Sequence, residues 1–76
     1  SVLRITSENV LTEILESSAD IYIGNTQLNP SQLEKAREKD ADAIGHLKTI
    51  LVAETYKRSE YYDEKMNVVK IVYREV

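Results

Sequence analysis

Three groups of side chains in this sequence are of types that do chemistry. Glu38, Asp42 and His46 are spaced four apart. On one unbroken helix they would stand in a row, and two carboxylates with an imidazole can hold a divalent ion. The same spacing is ordinary on a solvated helix face, where a histidine near the C-terminal end is favoured as a cation by the helix dipole. The residues are therefore read as surface, and no metal or cofactor is expected.

The second group is Tyr56, Tyr61 and Tyr62 among Lys57, Arg58 and Lys65. Aromatic rings between cations can stack bases and hold phosphates. They can equally pack on a core or a protein interface while long charged stems cover them. Glu54, Glu60, Asp63 and Glu64 cancel the positive field locally. A protein interface is the expectation, because Tyr and Arg are enriched in binding hot spots. Nucleic-acid binding or a regulatory role through Lys57–Lys65 is the alternative.

The third group, of catalytic type, is thin. There is no Cys and only one His, so no base-and-orienter pair can be assembled around a nucleophile. Asp40 and Asp42 are two apart and would point to different sides of a helix. Two glycines supply no phosphate-cradling loop. The chain is read as non-enzymatic, with no catalytic and no cofactor-binding residue.

The elements that must carry these residues are constrained by size. Seventy-six residues are read as one small domain spanning 1–76, which on folding buries only about 60% of the surface its unfolded chain exposes. Without cysteine there is no disulfide or thiolate-metal staple, which leaves good packing or self-association. The 42% hydrophobic and 30% charged content is that of an ordinary globular chain. The net charge of −3 sits near the front, in Glu8, Glu13, Glu16 and Asp20 against Arg4, and exerts no general pull on phosphate. No apolar run has transmembrane length, so no membrane contact and a cytoplasmic location are expected. The absence of a starting Met suggests processing or excision from a longer chain.

In chain order, Val2-Leu3-Arg4-Ile5 predicts a first or edge strand. Thr6 or Ser7 caps a helix carrying Val10, Leu11, Ile14 and Leu15 on one stripe, ended by Ser17-Ser18. Asp20 to Ile23 predicts a strand and Gly24-Asn25 a turn, giving a compact β-α-β start. An apolar linker at Ile21–Ile23 between two helices is the other possibility. Asn29-Pro30-Ser31-Gln32 is a helix start, with an Asn cap, Pro at the first position and Gln able to close a capping box. Leu33, Ala36, Ile44 and Leu47 then mark one face, interrupted by Asp40, while Glu34, Lys35, Arg37, Glu38 and Lys39 go to solvent.

Gly45 is a fork. Either it ends the helix and His46 to Lys57 is a strand, with Thr49–Val52 its buried part and a loop through Ser59 to Asn67 making a hairpin with the last strand, or the helix runs on. The Ala53–Glu60 stretch leans helical by propensity, so helix is expected on both sides of Gly45 with a break or kink near it. An unbroken helix from Pro30 to Glu64 would be about 50 Å long and would need a second chain beside it. Val68 to Val76 is the clearest strand, with Val69, Ile71 and Tyr73 as its apolar face.

These readings give an α+β fold: a β-α-β start, a long second helix and a C-terminal strand completing a two- or three-stranded sheet. The expected function is a protein-protein interaction module (a small adaptor, inhibitor or structural subunit) that forms a homodimer or higher oligomer. An interface through Leu51, Tyr56, Arg58, Tyr61, Tyr62, Val69, Ile71 and Tyr73 is expected. Size and composition would suit an accessory protein of a phage or other mobile element.

Overall fold

The structure, a computed structural model, describes residues 3–76; Val2 of the expected first strand lies outside them. The order is β1 (Leu3–Thr6), α1 (Ser7–Glu16), β2 (Asp20–Ile23), β3 (Thr26–Gln27), α2 (Pro30–Arg37), α3 (Ala41–Ile50), β4 (Thr55–Tyr62) and β5 (Val68–Glu75). The fold is α+β, a five-stranded mixed sheet with three helices on one face.

Local chemistry sets the helix ends. The Thr6 hydroxyl accepts from the Asn9 amide at the start of α1, and α1 ends at Ser17. The Asn29 side chain accepts from the amides of Ser31 and Gln32 at 2.9 and 3.3 Å, with Pro30 in the first turn. The break expected near Gly45 falls instead at Lys39-Asp40. Lys39 adopts a left-handed φ of 73°, its amide donates to the Ala36 carbonyl, and the Asp40 amide donates to the Lys35 carbonyl. That pair of bonds closes α2 as a Schellman motif with lysine where glycine is usual. Asp40 then caps α3, accepting from the Ala43 amide at 3.0 Å. Gly45 is an interior residue of α3.

The expected long second helix is therefore two short ones, and the stretch beyond Ala53 is strand. The helical propensity of Ala53–Glu60 is overridden because β4 is a central strand. β1 pairs with Thr55 to Arg58 on one side, and β5 pairs with Tyr56 to Tyr62 on the other. Adding β4 and β3 makes five strands rather than two or three. β1 and β2 form the expected β-α-β start, but the sheet order β1-β4-β5-β2-β3 inserts the β4–β5 hairpin between them. β5 is antiparallel to β4 and parallel to β2, so β1 and β2 run the same way.

One core cluster collects Val10 and Ile14 of α1, Leu33 and Ala36 of α2, and Ala43 and Leu47 of α3, packed on Ile21, Tyr56, Ile71 and Tyr73 of the sheet. Arg37, expected in solvent, ties the helix layer together. Its guanidinium donates to the Ile14 carbonyl at 3.0 Å and the Ala19 carbonyl at 2.8 Å, placing a cation at the negative end of α1. Ile50, Leu51 and Ala53 close over the core edge, leaving Val52 exposed. In β5 the register slips between Tyr61 and Tyr62, so Val69 is an extra residue in a bulge. Val68 turns to the core in its place, and Val69 is exposed.

Candidate functional site

Strand alternation divides β4 between two surfaces. Tyr56 is in the core, so Arg58, Glu60 and Tyr62 share the helix side while Lys57, Ser59 and Tyr61 face away from it. The open face carries no helix among the described residues. Register places its side chains in rows across the strands. Arg4, Lys57 and Arg74 form one row over β1, β4 and β5. Ser59, Val72, Tyr22 and Gln27 form the next, over β4, β5, β2 and β3. Tyr61, Lys70 and Asp20 form the third.

This face inverts the charge of the chain. It bears Arg4, Lys57, Lys70 and Arg74 against one carboxylate, Asp20, whose field also reaches Arg37. The rest of the chain carries the other six basic and twelve acidic residues. None of these four cations forms an ion pair among the described residues. Arg74 donates to the Asn25 side chain at 3.0 Å. The Lys70 ammonium lies 4.8 Å from the Tyr22 ring centroid and 4.7 Å from that of Tyr61, a cation held between two rings. Val72 is 5% exposed yet stands apart from the helix-side core, so side chains of its own face cover it.

The helix side holds the opposite arrangement. Arg58 donates to Glu13 and, at 3.0 Å, to Glu60, and the Tyr73 hydroxyl donates to the same Glu13. Burial and the Glu13 carboxylate push the Tyr73 phenol well above the usual tyrosine range. Desolvation alone would lower the Arg58 pKa, but hydrogen bonds to Glu60 and Glu13 outweigh it and raise the value. The Tyr62 hydroxyl donates to Glu60 at 2.6 Å, holding the Glu60 carboxyl below its ordinary range. Glu13 and Arg58 of this network, already paired to each other, line an open cleft of about 530 Å³ between α1 and the sheet.

The helix break leaves Glu38 as the C-cap of α2 and Asp42 and His46 on α3, so the row of three ligand-type side chains is not formed. Asp40 instead joins Asp42 and His46 around a shallow surface cleft, with its carboxylate capping α3. Among the described residues no three His, Asp or Glu side chains converge as a metal site would require.

Of the expected interface residues, Tyr56, Ile71 and Tyr73 are core, Leu51 is half-buried against it, and Arg58 is held between two carboxylates. Tyr61, Tyr62 and Val69 are exposed. Tyr61 belongs to the open face, whereas Tyr62 lies on the helix side. Tyr22, Lys70, Arg74 and Arg4 come from three other strands and were not singled out by the sequence. For Lys70 and Arg74 the signal was the alternation of β5, Lys70-Ile71-Val72-Tyr73-Arg74, which puts both on one face.

No helix among the described residues is long and apolar enough to cross a membrane. No protein family, curated protein or solved structure matches the chain.

Proposed function

We propose that the protein is a non-enzymatic binding module whose working surface is the open face of the sheet, and that this face engages an anionic macromolecule. The observation that carries the reading is the row Arg4, Lys57, Arg74. Like charges directly opposite one another on neighbouring strands weaken a sheet, and the helix side of the same strand pairs its charges. An uncompensated cation row in a chain of net charge −3 is an arrangement that a polyanion would complete.

Retention on immobilised heparin at low salt tests it. Wild-type protein is expected to bind and to elute as salt rises. Lys57→Glu with Arg74→Glu is expected to abolish retention, while Lys35→Glu with Lys48→Glu on the helix side leaves it unchanged. Equal behaviour of the two double variants would sink the reading.

A second surface supports the protein-contact reading. β1 covers only the first half of β4, so the backbone edge from Ser59 to Tyr62 has no strand beside it among the described residues. Leu3 and Tyr62, 55% and 47% exposed, flank a cleft of about 420 Å³ along that edge. An open edge with apolar flanks is a natural place for another strand, including that of a second copy. Light scattering over a concentration series separates the cases. Mass rising with concentration, and reverting to one chain in Leu3→Lys with Tyr62→Lys, would support assembly there; a constant single-chain mass would remove self-association.

A further inference from the structure

We propose that the anionic partner of the open face is single-stranded nucleic acid, with one base stacked on Tyr22, one on Tyr61 and the backbone along the Arg4, Lys57, Arg74 row. This rests on the preceding reading that the face binds a polyanion, and adds what kind. The rows decide it. The cation row crosses three strands, about 10 Å, in the hydrogen-bonding direction of the sheet. Tyr22 lies one row over, about 7 Å further along the strands, and Tyr61 lies in the row beyond. A ligand that fits has regularly spaced negative charge on one side and flat apolar groups on the other. An acidic peptide or a sulfated polysaccharide offers the charge without the flat groups.

The aromatic part is built for that geometry. Tyr61 is 49% exposed, and Tyr22 is half-buried, standing beside Val72 with its hydroxyl directed toward Gln27. Lys70 sits between the rings within 5 Å of both centroids and adds a fourth cation to the face. Ser59 and Gln27, in the row of Tyr22, add hydrogen-bonding groups for base edges. A duplex hides the base faces that the rings would stack on, and among the described residues no helix stands on this face to enter a groove. The four cations and two rings suit a short site of about four nucleotides, the low end for sheet-based single-strand binders.

The test is fluorescence anisotropy with labelled eight-nucleotide oligothymidylate and oligouridylate. A duplex of matched length and heparin serve as competitors, and circular dichroism checks each variant. Single strands are expected to bind more tightly than duplex, with a log-log salt slope of roughly −2 for three neutralised phosphates. Tyr61→Leu, at a position 49% exposed, is expected to weaken binding about tenfold with the salt slope unchanged, since stacking rather than charge is lost. Tyr22→Phe is expected to retain affinity and Tyr22→Leu to lose it. Lys57→Glu lowers both affinity and slope.

If duplex or heparin competes as well as single strand and Tyr61→Leu changes nothing, the face binds polyanions without reading bases. This inference then fails while the broader one stands. If no polyanion binds in a salt-dependent way, both fail. Preference for thymidylate over uridylate, or the reverse, with the tyrosine dependence intact would support the proposal.

Discussion

The two faces of the sheet are made from the same strands, and they treat charge in opposite ways. On the helix side Arg58 is flanked by Glu13 and Glu60, and Glu13 also takes the Tyr73 proton donor. Arg58 pairs with Glu13 of α1 and with Glu60 of its own strand, so the cation there is compensated on two sides. One residue along in β4, Lys57 stands between Arg4 and Arg74. Partly buried charges must be paired or they destabilise the fold, so the helix side reads as a solution to a folding problem. The open face solves no such problem, and its cations repel one another. Charge that folding does not require is the better guide to binding.

The sharpest way to test the contrast is at two adjacent residues of β5 that are nearly equally buried. Ile71 is 2% exposed and Val72 5% exposed, but Ile71 belongs to the helix-side core and Val72 does not. Ile71→Ala is expected to cost about 2–5 kcal/mol, the range for a large-to-small change in a close-packed core. Val72→Ala is expected to cost about 1 kcal/mol, because the side chains that cover it stand in solvent and can settle into the space. Urea denaturation with a common m-value would measure both. Equal losses would mean that the open face is a second core, and the binding reading would lose its footing.

A pH series addresses the paired network. The folded Tyr73 phenol resists ionisation, through burial and the Glu13 carboxylate, while in the unfolded chain it ionises near the ordinary value of about 10. A raised folded pKa gives stability that is fully present below the unfolded value and is lost as pH climbs from there toward the folded one. Wild-type stability is therefore expected to fall above pH 10, with residue 73 contributing up to about 1.4 kcal/mol per pH unit. Tyr73→Phe should be less stable at pH 7 by about 1 kcal/mol and fall less steeply above pH 10. Tyr62, whose phenol is also raised by Glu60, keeps part of the slope in that variant.

How far these features could be read from the sequence follows the same division. The caps of α1 and α2, the turn at Gly24 and the strand at Val68 were legible, since each rests on residues adjacent in the chain. The break between α2 and α3 was not, because its left-handed residue is Lys39 rather than a glycine and Asp40 looked like a flaw in an apolar face. Gly45 drew the break to itself. Nothing lies within 4 Å of where its Cβ would be, and its φ is not positive. Gly45→Ala is therefore expected to stabilise the protein by about 1 kcal/mol, readable as a rise in Tm. The candidate site was legible only in fragments. Tyr61 and Lys57 were noticed as neighbours of Arg58 and Tyr62, from which the pleat separates them. Their true companions Tyr22, Lys70 and Arg74 are brought together by strand order, which periodicity along the chain does not encode.

The smallest expected effect on stability is the most informative about purpose. Lys57→Gln removes the central charge of the row and leaves a side chain of similar length over the sheet. If the cations served the fold, stability would drop. Cross-strand like charges are worth roughly 0.2–1 kcal/mol against the folded state, so the variant is expected to be as stable as wild type or slightly more so. The gain should be larger at low ionic strength, where repulsion is least screened. The same substitution is expected to weaken polyanion binding and reduce its salt dependence. A gain in stability coupled to a loss of binding is the signature of a residue kept for its partner. A loss of stability would instead place Lys57 with Arg58, as part of what holds the sheet together.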